Sequence, residues 1–201
     1  VSPRGATGFW QLMEETAKEL GLEVNEEVDE RYHPIKSTEA ALKYLKKAHD
    51  RFGNWTSAAA SYNIGMYGLD KRLSEQKVGS YYDLLLNEET SRYMFRILAL
   101  KEIMEHPEKY GYRIPEKHLY KKEPVESVLV DSTIHDLVGF AADNDISYKT
   151  LKQYNPWLRK NTLTVKDGGK TYKILIPKDP PPYVPHPEYA SSTLLSENSK
   201  P

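Results

Sequence analysis

In the first half of the chain, the spacing of the apolar residues constrains the fold more than any other feature. These residues recur at steps of three and four, which is the spacing of helices with one buried face. The pattern predicts four main helices, over residues 8–20, 37–52, 55–63 and 88–105. Ser37 or Thr38 is expected to cap the second helix. The polar and acidic residues 22–36 before it predict a surface connection, so this half should contain helices only.

Two of these helices carry expectations about burial. Phe9, Leu12 and Met13 begin the apolar stripe of the first helix and are expected to face the protein interior. Leu100 and Met104 are expected on the inner side of the last helix. On this prediction, each of the five side chains packs against a neighbouring element.

The second half of the chain follows a different pattern. Residues 125–130 and 172–176 carry the β-branched and apolar runs of two strands, and the segment between them predicts two short helices. Asp131 or Ser132 is expected to cap the first of these helices, and Ser147 the second. The chain is therefore expected to be an α+β protein, with a mainly α-helical domain followed by a small β-α-α-β domain.

Changes in composition predict the domain boundaries. Residues 1–116 form the predicted helical domain, and residues 117–178 form the β-α-α-β domain with a basic, polar linker at its start. Residues 179–201 are rich in proline and polar residues, which cannot bury a core. They are therefore expected to form a mobile tail.

Charge and composition exclude several functions. With 28 basic and 29 acidic residues in 201, the net charge is −1, so nucleic acid is not an expected partner. No apolar run approaches the roughly 20 residues that a transmembrane helix needs. The absence of cysteine excludes disulfides and thiolate metal sites, and the six histidines lack the spacing of metal ligands. Neither a metal nor an organic cofactor is expected, and the oligomeric state is left open.

Four short motifs of the first half can each be explained as ordinary local structure, since glycine ends helices and carboxylates favour their first turn. The motifs are SPRGATGFWQLM at residues 2–13, STEAA at 37–41, SYNIG at 61–65 and ETSRY at 89–93. Their order and spacing together resemble the lytic transglycosylases, which cut bacterial peptidoglycan with a lysozyme-like catalytic domain. Residues 29–34, DERYHP, resemble a further stretch of the family and are expected to hold an ion pair that orders a loop.

The resemblance implies a set of substrate-binding residues. Six residues match the family at candidate substrate-binding positions: Ser2, Gln11, Met13, Tyr62, Asn63 and Glu89. By resemblance, the Tyr62 hydroxyl reaches the catalytic carboxyl and fixes its orientation, whereas Glu89 borders the sugar cleft and does not replace the acid. The family carries its catalytic glutamate before the serine matched by Ser2. That glutamate is therefore expected upstream of Val1, and no catalytic residue is assigned within this chain.

The resemblance also implies a reaction. One glutamate protonates the oxygen of the β-1,4 bond between N-acetylmuramic acid and N-acetylglucosamine. The same group then acts as a base on the muramic 6-hydroxyl, which closes into a 1,6-anhydro product. The implied partners are peptidoglycan glycan strands in the bacterial cell envelope, on its periplasmic side. Without the upstream glutamate, the 201-residue polypeptide by itself is expected to be inactive.

The β-α-α-β segment resembles the LysM module, which binds peptidoglycan and chitin. Residues 131–134, DSTI, match the turn that opens the first helix of the module, and Asn155 with Pro156 matches the end of its second helix. The segment departs from the module because the turn lacks glycine and because residues 157–170 form a longer insertion. Two alternatives stay open. One is a non-catalytic protein that binds peptidoglycan or chitooligosaccharides, and the other is a helical scaffold whose motif matches are coincidental.

Overall fold

The computed structural model describes residues 1–166 and 168–182. Within them lie seven α-helices and one sheet of two strands, so the predicted α+β class with a mainly helical first half is confirmed. In chain order these elements are α1 (Glu14–Glu19), α2 (Pro34–Phe52), α3 (Trp55–Ile64), α4 (Met66–Gln76), α5 (Glu88–Glu105), β1 (Val125–Val130), α6 (Leu137–Asp143), α7 (Tyr148–Tyr154) and β2 (Tyr172–Pro177). None of the described helices is long and apolar enough to cross a membrane. Most of the tail predicted at residues 179–201 lies outside the described residues.

Contacts divide the described residues into two compact units. The first unit joins Val1–Thr38 to the described residues from Lys122 onward, and the second unit is Glu39–Lys121. The first unit therefore combines the beginning of the chain with the β-α-α-β segment. The domain boundaries at residues 116 and 178 stay predictions.

The β-α-α-β segment has a closed apolar core. Strands β1 and β2 pair antiparallel, from Val125 opposite Pro177 to Val130 opposite Tyr172. The inward residues of β2 pack with α6, α7 and the insertion in one buried cluster. Leu137, Leu151, Leu158, Leu163 and Ile174 of this cluster expose no surface. Trp157, Leu158 and Leu163 of the insertion are therefore part of the core.

The caps of α6 and α7 differ in how well the sequence predicted them. Ser147 caps α7 as predicted, since its side chain accepts the Thr150 N–H. The prediction for α6 was wrong, because Asp136 caps that helix by accepting two backbone N–H groups. Residues 131–135 are not helical, and Ile134 among them forms a β-bridge with Leu163 of the insertion.

The predicted helix over residues 8–20 is largely wrong. Helix α1 covers only its second half, and Thr7 and Leu12 form an antiparallel bridge in front of it. Leu12 is buried as expected, but Phe9 is 89% exposed. The reason lies at Gly8, which has a φ of 78° and packs so closely that a Cβ would lie 2.0 Å from the Arg31 carbonyl oxygen. This close approach, open only to glycine, replaces the helical turn.

Helix α2 begins three residues earlier than the sequence predicted. It starts at Pro34. Proline suits the first helical position because a backbone N–H at that position would have no acceptor within the helix. Ser37 and Thr38 therefore lie inside the first turns, where both hydroxyls donate to the Pro34 carbonyl. They hydrogen-bond to a carbonyl of the first turn and do not cap the helix.

The second unit packs α3 against α4 and α5 through small side chains. Ala58, Ala60 and Ser61 of α3 are buried, and Leu69, Tyr81 and Met94 complete the core beside them. A glycine, Gly65 with a φ of 79°, separates α3 from α4.

Helix α5 is only partly covered among the described residues. Met94 is buried near its beginning, whereas Leu100 and Met104 are exposed, so the predicted burial of these two side chains was wrong. Helix α3 and the segment after α4 reach the first turns of α5, and a short 3-10 turn at Pro107–Tyr110 contacts its end. The helical spacing correctly predicted the helix but not which of its residues find a partner.

Candidate functional site

The six predicted substrate-binding residues fall into two groups, one in each compact unit. Ser2, Gln11 and Met13 lie in the first unit. Tyr62, Asn63 and Glu89 lie in the second.

The group in the first unit lies on a tight loop in front of α1. The Ser2 Oγ accepts the Ala6 N–H at 3.0 Å, so this serine closes the first turn of the loop. The exposed Gln11 has a φ of 50°, and its Nε2 donates to the Gly8 carbonyl at 2.7 Å. Met13 ends the loop with its side chain exposed, contrary to the expected burial. Gln11 and Met13 are therefore both accessible to a ligand.

A buried ion pair orders this loop. Asp29 accepts hydrogen bonds from Arg31 Nε at 2.9 Å and Nη2 at 2.8 Å, and both side chains are buried. The third nitrogen of Arg31 donates to the carbonyls of Gly5 and Leu12. The predicted loop-ordering ion pair is confirmed, and it fixes the loop that carries Gln11 and Met13.

The group in the second unit forms where α3 ends beside the first turn of α5. The Asn63 Oδ1 accepts the Thr90 hydroxyl at 2.7 Å, and the Asn63 Nδ2 donates to Glu89 Oε1 at 3.4 Å. Asn87 caps α5 by accepting the Thr90 N–H, and the Tyr81 hydroxyl lies 2.7 Å from the Thr90 carbonyl. The structure thus brings Asn63 and Glu89 together and leaves the Glu89 side chain exposed to solvent.

Tyr62 is a half-buried phenol next to this pair. Its ring packs edge-to-face on Tyr44, with 5.2 Å between the centroids. Burial raises the pKa of Tyr62, and the neighbouring Tyr93 and Tyr44 raise it further. Tyr62 therefore stays protonated at neutral pH and retains a hydroxyl that can donate a hydrogen bond.

The acidic segment at residues 22–33, predicted as a surface connection, is instead packed against the β-α-α-β segment of the first unit. Val28 forms a β-bridge with Leu158, and the Asp29 N–H donates to the Trp157 carbonyl at 2.9 Å. Val28 and Leu158 are both buried. The prediction was wrong because the polarity of this segment serves contacts within the protein. We call residues 22–33 the docking segment.

Three glutamates of the docking segment form hydrogen bonds with side chains and backbone of the β-α-α-β segment. The Glu27 carboxylate accepts the Thr162 hydroxyl at 2.6 Å and the Thr164 N–H at 2.7 Å, and these bonds lower its pKa. Glu23 accepts hydrogen bonds from Lys170 at 3.0 Å and from the Tyr172 hydroxyl. Burial, followed by this contact with Glu23, raises the pKa of Tyr172 to about 12.

Glu30 is the most deeply buried of the three. Its side chain is 3% exposed and lies 2.5 Å from both Lys36 Nζ and Lys170 Nζ. Burial alone would raise the pKa of Glu30, but the Glu23 N–H, Lys170 and Lys36 outweigh it and lower the pKa. Glu30 is therefore a buried carboxylate that stays ionised between two lysines.

Sequence reasoning missed this surface, although a signal for it existed. Two apolar residues of the segment, Leu22 and Val28, are buried, and a solvated connection does not need them. The unusual length of the insertion was a second signal, because Trp157, Leu158 and Leu163 are all buried. Within residues 1–166 and 168–182, no cluster of three or more histidine, aspartate or glutamate side chains could hold a metal ion.

Comparison with known proteins gives two family matches. Residues 1–84 match the family model described as the transglycosylase SLT domain. Residues 126–180 match the one described as the soluble lytic transglycosylase C-terminal LysM-like domain. The chain is also 28% identical over 186 residues to membrane-bound lytic murein transglycosylase D of Escherichia coli strain K12, and equally to that of Escherichia coli O6:H1. These alignments cover 89% of this chain and 39% of each relative.

Proposed function

We propose that this chain is part of an enzyme that cleaves peptidoglycan. By family resemblance it is a lytic transglycosylase, with an SLT domain followed by a LysM-like domain. The observation that carries the proposal is the SLT match over residues 1–84, which contains the predicted site residues from Ser2 to Asn63. The chain spans 39% of the length of its curated relatives, so the activity of a whole protein is inferred here from a part. We place this activity in the bacterial cell envelope, on the periplasmic side, because the proposed substrate lies there.

The proposed reaction breaks the β-1,4 bond between N-acetylmuramic acid and N-acetylglucosamine. A glutamate upstream of Val1 protonates the leaving oxygen and then withdraws the proton of the muramic 6-hydroxyl, whose oxygen closes on the anomeric carbon. The products are a 1,6-anhydromuramic end and a free N-acetylglucosamine 4-hydroxyl, and no water is consumed. A carboxyl group performs both steps near neutral pH when its surroundings raise its pKa.

Tyr62 is proposed to orient the catalytic carboxyl. Its pKa is raised by burial, so its hydroxyl keeps the proton that a hydrogen bond to a carboxylate requires. The edge-to-face contact with Tyr44 restricts the ring to one orientation. A donor held in this way stabilises the carboxylate form and helps to set the pKa at which the group works.

Asn63 and Glu89 are proposed to hold the sugar strand. The hydrogen bonds of Asn63 to Glu89 and Thr90 fix the first turn of α5 against the end of α3. The exposed Glu89 carboxylate can then accept hydrogen bonds from sugar hydroxyls or from an N-acetyl N–H group. In the first unit, the exposed amide of Gln11 and thioether of Met13 offer one polar and one apolar contact to a sugar ring.

The experiment compares the full-length parent protein with the 201-residue chain on purified sacculi, with soluble products identified by mass spectrometry. The parent is expected to release muropeptides with 1,6-anhydro ends, and the 201-residue chain is expected to release none. Replacing the upstream glutamate by glutamine should abolish release by the parent.

Two results would overturn the proposal. Products with reducing ends would mean hydrolysis, and an active glutamine variant would mean that another group is the acid. A parent that binds sacculi without releasing any product would favour the non-catalytic peptidoglycan-binding alternative.

A further inference from the structure

The first unit contains an open cavity of about 510 Å³ on the surface that carries Met13. The beginning of the chain lines one side, with Arg4, Gly5 and Met13. The docking segment lines another side with Tyr32, and Arg159 enters from the insertion at residues 157–170. The cavity is large enough for part of a small peptide or sugar.

The charges around this cavity leave an excess of cations. Each of the three carboxylates in its wall already faces a basic side chain: Asp29 faces Arg31, Glu14 faces Lys18, and Glu26 faces Lys160. Arg4 and Arg159 have no carboxylate within salt-bridge distance among the described residues. The two arginines therefore make the cavity attractive to an anion.

Arg159 is held in place for binding. Its guanidinium lies over the Tyr32 ring, 4.1 Å from the centroid, and its Nη1 donates to the Pro156 carbonyl at 3.0 Å. Its backbone N–H donates to the Glu27 carbonyl at 2.7 Å, which ties this part of the insertion to the docking segment. A guanidinium restrained on an aromatic face loses little freedom when its other N–H groups bind a planar carboxylate.

We propose that Arg4 and Arg159 form a subsite for the carboxylates of the peptide stem of peptidoglycan, an inference that rests on the proposed function. The stem peptide leaves the glycan from the lactyl ether of muramic acid, so its carboxylates lie beside the sugar. Met13, a proposed sugar contact, borders the same cavity. The LysM-like domain therefore contributes a residue to substrate recognition through its insertion.

The test measures kcat/KM of the full-length parent on two batches of glycan strands. One batch carries stem peptides with free carboxylates, and the other carries the same peptides with these carboxylates amidated. The parent should prefer the free carboxylates, and Arg159→Ala should lower kcat/KM on that batch about tenfold while leaving the amidated batch nearly unchanged. Arg159→Lys should fall between the two, because it keeps the charge but loses the planar fork.

Two further variants keep the proposal falsifiable. Arg4→Ala should show the same substrate-dependent loss, and it removes no hydrogen bond of the described structure. Arg72→Ala removes an exposed arginine of α4 that forms no salt bridge with any residue that the structure describes, and it should change neither rate. If Arg159→Ala lowered kcat/KM equally on both batches, Arg159 would act through the stability of the fold. If neither Arg4→Ala nor Arg159→Ala changed kcat/KM, the proposed subsite would be refuted.

A binding measurement separates this inference from the proposed function. The soluble peptide L-alanyl-γ-D-glutamyl-diaminopimelate is titrated into the full-length protein by calorimetry, with inorganic phosphate as the competing anion. The subsite would be supported, even if the parent cleaved no glycan, by two results together. The peptide should bind more tightly than phosphate, and Arg159→Ala should abolish peptide binding. No peptide binding, or equal binding of phosphate, would overturn the proposed subsite.

Discussion

The β-α-α-β segment and the α3–α5 region differ in how they are held together. The β-α-α-β segment buries whole leucine and isoleucine side chains, such as Leu151 and Ile174, in a closed core. The α3–α5 region buries mainly alanines around Leu69, and much of the apolar surface of α5 is exposed. The region with less buried apolar surface carries Tyr62, Asn63 and Glu89. Hydrogen bonds position Asn63 and Glu89, and ring packing on Tyr44 positions Tyr62.

This difference separates stability from function. Burial of large apolar side chains supplies most of the free energy of folding, so the β-α-α-β core should dominate stability. The hydrogen bonds of Asn63 add little net stability, but they fix the distances between residues of the proposed substrate site. Mutations of the buried leucine and isoleucine side chains of the first region should therefore change unfolding, and mutations of Tyr62, Asn63 or Glu89 in the second should change turnover.

The largest expected effect is on the closed core. Leu151→Ala should lower the free energy of unfolding by about 2–5 kcal/mol, because it leaves a cavity at a fully buried position. Leu100→Ala, at a position that is 60% exposed on α5, is the matched control and should change stability by about 0.5 kcal/mol or less. Urea unfolding followed by circular dichroism measures both. Similar losses in the two variants would mean that α5 is covered as completely as α7.

A smaller effect is expected at the docking segment. Glu30→Gln should cost about 1–3 kcal/mol, because it leaves Lys36 and Lys170 without their shared carboxylate. The two lysine side chains are 37% and 40% exposed, so water compensates them in part. Glu26→Gln is the control, since Glu26 is exposed, and should cost about 0.5 kcal/mol or less. A cost for Glu30→Gln no larger than that of the control would mean that the ion cluster does not hold the docking segment.

The same carboxylate gives this region a pH dependence. The pKa of Glu30 is lower in the folded protein than its ordinary value of 4.5, so folding favours the ionised form. Its contribution to stability is present above pH 4.5 and is lost as the pH falls through the lower, folded value. Urea midpoints at pH 7 and pH 3.5 should therefore differ more for the wild-type chain than for Glu30→Gln. An equal acid shift in both proteins would exclude Glu30 as its source.

The sequence predicted local structure best where one segment supplies all of its own contacts. The Ser147 cap of α7 follows from neighbouring residues, since Ser147 accepts the Thr150 N–H, and it was predicted correctly. The helix expected from residue 8 and the cap expected before α6 failed for a shared reason. Gly8 packs on Arg31, and Ile134 pairs with Leu163, so both segments take their conformation from residues distant in sequence.

The candidate site divides in the same way. The family motifs identified Asn63 and Glu89, which lie at the end of one helix and the start of another and are hydrogen-bonded. No motif identified Arg159, because the cavity that it borders exists only when the insertion packs on the docking segment. The charges of residues 22–33 were visible in the sequence, but their partners, up to 149 positions away, were not.

The smallest expected effect concerns turnover alone. In the full-length parent, Tyr62→Phe should lower kcat about tenfold and change KM little, because it removes one hydrogen bond to the proposed catalytic carboxyl and keeps the ring packed on Tyr44. Tyr67→Phe, at an exposed position of α4, is the control and should leave both constants unchanged. Initial rates on sacculi across a range of concentrations give kcat and KM for each variant. A loss in which KM rises as much as kcat falls would assign Tyr62 to sugar binding. A loss of stability comparable to that of Leu151→Ala would break the separation between the two regions, since a residue of the polar site would then also hold the fold.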